Sequence, residues 1–273
     1  DVSHENTKGS QFVWIPVGDV KTKNKGTINI ELKRYVFNED GTVNADLSKT
    51  EPGDQLKTRT SDSSYYTEEL ENSKIDNTPA KNIEDFKSKA EGSHGYYIGR
   101  YEARTAPERS SSTTDDNLTQ ITTKPNDYVY NYVTQPQAAT LSRGMYTGTP
   151  FESDLMNSYV WDTATLFLQT IDNRTTDKTT KYSRQTSLNG VSDGLASKGT
   201  NNLADTSKQD KICNVYDMAS NCVEWSTETY SYSNDPCTTR GGYYTNSYYT
   251  SLRNSVFKTL SYNTYSFRPL LYL

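Results

Sequence analysis

The stretch Asn214-Val-Tyr-Asp-Met-Ala-Ser-Asn-Cys-Val-Glu-Trp225 decides how the chain is read. It interleaves apolar side chains with three oxygen-bearing ones, Asp217, Asn221 and Glu224, within a final third built of short β-favouring runs and turns. Asp and Asn in such a run tie down their own backbone as turn formers. Hard cations such as calcium take the same oxygen ligands, so two readings stand: a capped, buried network, which is the simpler, or a calcium site. Trp225 at the end of the stretch, like Trp14 and Trp161, reads as a core aromatic.

Downstream lies Arg240-Gly241-Gly242, where consecutive glycines imply a backbone path that a side chain would obstruct. Arg240 and Arg268 are suited to bridging carboxylates or carbonyls there. From Gly241 to Ser266, 18 of 26 residues are Tyr, Ser, Thr or Asn and none is acidic. Upstream, Gln11–Val20 reads as an opening or edge strand punctuated by Pro16. The alternating run Thr27–Phe37 predicts a second strand, with a turn at Asn38–Gly41 leading to a third from Thr42. Ile83, Phe86 and Ala90 have helical spacing, ended by Gly92 and Gly95 before a strand over Tyr96–Ala103. Helices are also predicted over Pro136–Met145 and Asp154–Leu168, with Leu155, Tyr159, Ala164 and Leu168 toward a core. Residues near 48–80, 105–127 and 172–210 read as polar insertions within one domain spanning residues 1–273.

Leu, Ile, Val and Phe supply only 46 of the 273 residues, but a net charge of -5 is too small for a disordered chain. The 22 tyrosines and 3 tryptophans supply the missing apolar surface, so the chain is expected to fold with long polar loops. An acidic balance with no cluster of basic residues argues against a nucleic-acid partner. No run of residues is apolar enough for membrane insertion. Residues 1–10 show neither a basic start nor a hydrophobic stretch and read as a trimmed or mature start.

Four segments in order carry a resemblance: Phe12-Val-Trp-Ile-Pro16, Tyr97-Ile-Gly-Arg-Tyr-Glu102, the 214–225 stretch, and Arg240-Gly-Gly242 with Ser266-Phe-Arg268. Together they resemble the formylglycine-generating-enzyme (sulfatase-modifying factor) superfamily. The resemblance implies an α+β, C-type-lectin-like fold with small antiparallel sheets, about two main helices and long irregular loops. Some members of that superfamily bind calcium near the block matched by 214–225.

The family's oxidases hold copper through a close cysteine pair between the RGG and GFR elements, whereas this chain has no cysteine between Gly242 and Phe267. The resemblance therefore implies that the oxidase chemistry is lost, with a formylglycine-generating-type oxidase kept as the alternative. Cys222 and Cys237 form either a structural disulfide or buried thiols, and Cys213 stands beside them. Only His4 and His94 are available, which argues against a histidine metal site, and no serine-nucleophile elbow or phosphate-binding glycine loop occurs. No catalytic residue and no cofactor are expected, calcium being the one open case.

Tyrosine mixed with Ser, Thr and Asn has the composition of a paratope: large amphipathic contacts with two torsions to freeze, plus adaptable hydrogen bonds. Strand propensity alone also enriches tyrosine, and an invariant structural surface domain is the bland reading. The placement resembles the variable proteins of diversity-generating retroelements, whose adenine-directed mutation turns AAY codons chiefly into Asn, Tyr, Ser, Thr and similar residues. That resemblance implies a variable, ligand-binding surface made of Tyr243, Tyr244, Asn246, Ser247, Tyr248, Tyr249, Asn254, Ser255, Val256, Phe257, Tyr262, Asn263 and Tyr265. Gly241, Gly242, Arg253 and Phe267 would be scaffold, while Lys258 departs from the codon pattern. The expected partner is a protein or glycan receptor, met by a protein displayed on a phage particle or bacterial surface.

Overall fold

A computed structural model of the chain describes residues 7–44, 56–58, 78, 80–105, 108–109, 120–172, 180–186, 210–230, 237–244, 248–257 and 259–273. In chain order its elements are β1 (Phe12–Pro16), β2 (Gly18–Thr22), β3 (Gly26–Ile30), β4 (Val36–Phe37), β5 (Val43–Asn44), β6 (Leu56–Thr58), α1 (Ile83–Gly92), β7 (Gly95–Gly99), β8 (Arg104–Thr105), β9 (Tyr128–Val129) and α2 (Gln135–Gly144). There follow β10 (Glu152–Leu155), α3 (Ser158–Ile171), β11 (Lys211–Ile212), β12 (Val215–Tyr216), β13 (Val223–Tyr230), β14 (Cys237–Arg240), β15 (Arg253–Val256), β16 (Tyr265–Phe267) and β17 (Pro269–Tyr272). The class is α+β, with three α-helices and several small sheets among the described residues.

The helices start where side chains can cap them. Asn82, Thr134 and Asn157 each accept a hydrogen bond from a first-turn backbone N–H, and Thr134 with Gln137 completes a capping box. The cap at Asn157 corrects the helix expected from Asp154. Asp154 and Leu155 belong to β10, where they face Leu270 and Pro269 of β17, and the helix waits for Asn157.

Three expected strands are shorter than the sequence implies. Gln11–Val20 breaks at Val17, whose N–H donates to the His94 carbonyl at 2.9 Å, and Gly18 at φ +93° turns the chain into β2. The run Thr27–Phe37 leaves its sheet after Ile30 because α3 takes its backbone groups. Lys33 N and O both bond the Thr163 hydroxyl at 3.2 Å, and Tyr35 N–H donates to Asp162 Oδ2 at 3.0 Å. The expected turn forms, Gly41 N–H donating to the Asn38 carbonyl at 2.8 Å, and β4 and β5 pair across it. The strand expected to reach Ala103 ends at Gly99, where a Cβ would lie 2.8 Å from the Tyr101 carbonyl.

Of the two larger sheets, one has the order β1-β7-β17-β10 and the other β15-β14-β13-β16, with β6 also pairing β13. The β13–β16 pair is parallel, and β13 is antiparallel to both β14 and β6. The strand β6 falls inside the stretch expected to be a polar insertion. Other ends of those stretches are anchored too: Thr78 N–H donates to Gln135 Oε1 at 2.9 Å, and Ile121 and Tyr182 are buried. The rest of 48–80, 105–127 and 172–210 lies outside the described residues.

Two large apolar clusters form most of the core among the described residues, one around Phe86, Tyr96, Val160, Trp161 and Leu270, the other around Tyr130, Val133, Trp225, Phe267 and Leu271. Aromatic rings fill the volume that aliphatics leave: Phe86 packs edge-on against Tyr96 at 5.5 Å and Tyr272 at 5.2 Å. Trp161 and Trp225 are buried as expected, but Trp14 is 36% exposed. Strand alternation explains the difference, since Val13 and Ile15 turn to the core and leave Trp14 on the outer face, edge-on to Tyr97 at 4.8 Å.

Candidate functional site: a tyrosine-rich face on an ion-paired frame

The C-terminal segment leaves β14 at Arg240, and the frame beneath it is ionic. Arg240 donates from Nη1 to Glu228 Oε2 at 2.9 Å, from Nη2 to Asp162 Oδ1 at 2.5 Å, and from Nε to the Leu252 carbonyl at 3.0 Å. Arg253 answers from β15, donating to Glu228 Oε1 at 2.9 Å, to Asp162 Oδ2, and to the Tyr35 carbonyl at 3.2 Å. Arg34 adds a third guanidinium to Glu228 at 3.1 Å. Burial alone would raise the Glu228 carboxyl, yet Arg253, Arg240 and Arg34 outweigh it and bring the group down to about 2.

Past this frame the backbone is squeezed. At Gly241, with φ +77°, a Cβ would lie 2.4 Å from the Met218 carbonyl. At Gly242 it would lie 2.4 Å from the Tyr248 carbonyl and 2.6 Å from that of Ala219. The two glycines thus press the start of the loop onto the 214–225 block.

That block is itself held by arginines. Glu224 receives Arg268 at 3.1 and 2.6 Å, while Arg268 also donates to the Gly99 and Tyr216 carbonyls at 2.8 Å. Glu102 accepts from Cys222 N–H at 3.1 Å, from Asn221 Nδ2, and from Arg104 at 3.4 Å. Asp217 accepts from the Ser220 hydroxyl at 3.2 Å and lies 3.9 Å from Arg104. Asp217, Asn221 and Glu224 are therefore engaged by three different sets of partners. Burial pushes the Glu102 carboxyl well above the usual range.

On this support sits the tyrosine cluster. Tyr244 N–H donates to the Asn221 carbonyl at 3.2 Å, and Asn263 Nδ2 donates to the Tyr244 hydroxyl at 3.0 Å. The Tyr243 ring meets Tyr244 at 6.3 Å and Tyr248 at 5.7 Å. Tyr265 lies 5.2 Å from the buried Trp225 ring and 5.9 Å from Tyr262, joining the cluster to the core. Burial, then the phenols of Tyr243, Tyr248 and Tyr262, push the Tyr265 hydroxyl up to about 12. Tyr249 stands at one side, bridged to Thr186 in the backbone and covered by the Arg184 guanidinium at 3.7 Å.

The other expected surface positions divide. Phe257 is 52% and Tyr262 53% exposed, and Asn254 and Ser255 are half-buried on β15. Val256 is corrected: only 6% exposed, it packs into the cluster of Trp225, Cys237 and Phe267, because its pairing with Cys237 turns it inward. Asn246 and Ser247 lie outside the described residues, as does Lys258.

Tyr132 was missing from the expected set. At φ +50° its N–H donates to the Tyr262 carbonyl at 3.0 Å, and neighbouring Asn131 donates from Nδ2 to the Asn263 carbonyl at 3.0 Å. The density of tyrosines in Tyr128-Val-Tyr-Asn-Tyr-Val133 was the available signal.

Cys213 and Cys222 are thiols, so a Cys222–Cys237 disulfide is not formed. Burial first, then the Glu102 carboxylate, hold the Cys222 thiol well above its ordinary range, opposite to an activated nucleophile. No described helix is long and apolar enough to cross a membrane. Comparison with known proteins finds no matching family model, curated protein or solved structure.

Proposed function

We propose that the chain is a non-catalytic ligand-display module of the C-type-lectin-like, formylglycine-generating-enzyme type, binding a protein or glycan receptor through its tyrosine-rich face. The observation that carries the reading is the side-by-side seating of Tyr243, Tyr244, Tyr248, Tyr262 and Tyr265. Rings held in this way lose little freedom on binding, and well-seated tyrosines each contribute ~2 kcal/mol or more at an interface. Below them the ion pairs of Arg240, Arg253, Glu228 and Asp162 keep the frame rigid while the exposed residues vary. The reading extends to a variable protein of the diversity-generating-retroelement type, displayed outside the cell or on a phage particle.

Binding to a candidate receptor is tested with Tyr244, Tyr248, Tyr249 and Tyr262 changed together to serine in a variant whose circular dichroism stays native. Affinity should fall by orders of magnitude; unchanged affinity sinks the reading. Diversification has its own test in the DNA, where a near-identical template copy of the 3′ coding region should differ only at adenines.

A further inference from the structure

We propose that an open cleft between β1 and Arg100, distinct from the tyrosine face, binds a carboxylate-bearing sugar of the hexuronate type. The cleft measures about 660 Å³ and is lined by Gln11, Phe12, Trp14, Arg100 and Asn214 among others, none of them from 243–265. That volume is on the scale of small-molecule sites.

Its charge is the first argument. Arg104, Arg240, Arg253 and Arg268 each hold a carboxylate. Arg100 instead meets neutral acceptors: Gln11 Oε1 at 2.9 Å, Asn214 Oδ1 at 3.4 Å and the Tyr216 hydroxyl at 3.5 Å. Its Nε is buried without a hydrogen-bond partner, and no carboxylate pairs with it among the described residues. The guanidinium lies over Tyr101 at 5.6 Å and Tyr216 at 5.3 Å, two rings stacked at 4.8 Å, and Lys211 Nζ is 5.3 Å from Tyr216. Although burial raises the Tyr216 phenol, hydrogen bonds from Arg100 and Lys211 outweigh that and lower it, as a local positive field requires. In a chain of net charge -5, a cleft whose lining carries Arg100 and no acidic residue suits an anion.

Shape and donors select the rest of the ligand. Trp14 is 36% exposed and backed by Gly95, where a Cβ would lie 2.4 Å from the indole, so the ring is a fixed platform for an apolar C–H face. The amide oxygens of Gln11 and Asn214 are oriented by Arg100, leaving amide N–H groups as donors for hydroxyls. A ring with one apolar face, several hydroxyls and a carboxylate satisfies all three features, the carboxylate meeting the guanidinium in charge-assisted bonds.

The full chain is titrated with D-glucuronate and D-galacturonate by calorimetry and by the change in indole fluorescence, which reports on Trp14 because it lines the cleft while Trp161 and Trp225 are 1% exposed. Saturable binding is expected, with none for glucose or the uronate methyl ester. Arg100→Gln and Trp14→Ala, each checked for native circular dichroism, should weaken it about tenfold or more. The four-tyrosine variant should bind uronate normally, which separates this site from the receptor face. No saturable binding, equal binding of glucose or ester, or unchanged affinity in folded Arg100→Gln overturns the proposal. Equal binding of acetate or an N-acetyl amino acid overturns it as well, since the sugar ring would then contribute nothing.

Discussion

Arg240 on β14 and Glu228 on the adjacent β13 meet at 2.9 Å with both side chains fully excluded from water. Removing one member of a buried pair takes from the remaining charge a partner it needs in the interior, at a cost of up to ~3–5 kcal/mol. Arg240→Ala is therefore expected to lose about that much stability, read from the midpoint of a urea unfolding curve. A loss below about 1 kcal/mol would mean that Arg253 and Arg34 alone hold the carboxylates.

Acid should weaken the protein through the same carboxylate. Folding takes Glu228 from an ordinary value of 4.5 to about 2, so between these values the unfolded chain binds the extra proton. Its contribution is present in full above the unfolded value and is lost as pH falls toward the folded one. Unfolding free energy should thus drop between about pH 4.5 and 2. Glu228→Gln should flatten that part of the profile, and an unaltered slope would refute the assignment.

Gly242→Ala places a methyl carbon against two carbonyl oxygens, at 2.4 and 2.6 Å. Overpacking against backbone costs ~1–3 kcal/mol, and relief requires the backbone at Gly242–Tyr244 to lift. Amide exchange should therefore quicken around Tyr244, whose N–H is bonded to the Asn221 carbonyl, and receptor affinity should fall with it. Exchange rates unchanged from wild type would show that the loop is not pressed onto the block.

Val256 and Phe257 are neighbours with opposite surroundings, 6% and 52% exposed. Val256→Asn should destabilise by ~2–4 kcal/mol, combining lost apolar burial with an unsatisfied amide. Phe257→Asn should stay within about 0.5 kcal/mol in thermal or chemical denaturation while changing receptor recognition. Equal effects of the two on stability would contradict the inward turn of β15.

Features set by local chemistry were legible in the sequence. Ile83, Phe86 and Ala90 repeat at helical spacing behind the cap Asn82, and Asn38–Gly41 closes its turn with its own backbone, so both appear where the pattern puts them. The double glycine after Arg240 announced a crowded backbone. What stayed hidden depends on partners far along the chain. The pattern at 31–35 is strand-like, but Thr163 and Asp162 claim its backbone from 130 and 127 residues away. Trp14 and Val256 are apolar by type, and only register decides that one faces out and the other in. Tyr132 joins the candidate face through a bond to the Tyr262 carbonyl, and no spacing within 243–265 could reveal it.

The place of β17 between β7 and β10 carries a consequence for how the chain acquires its structure. During synthesis β1 and β7 emerge early and can pair at once, yet the strand that links them to β10 comes from residues 269–272. Until those residues leave the ribosome, β7 and β10 keep open edges, the kind of edge that invites pairing with other chains. Completion of the sheet is a late, long-range event, expected to be slow and to profit from a chaperone that shields nascent chains.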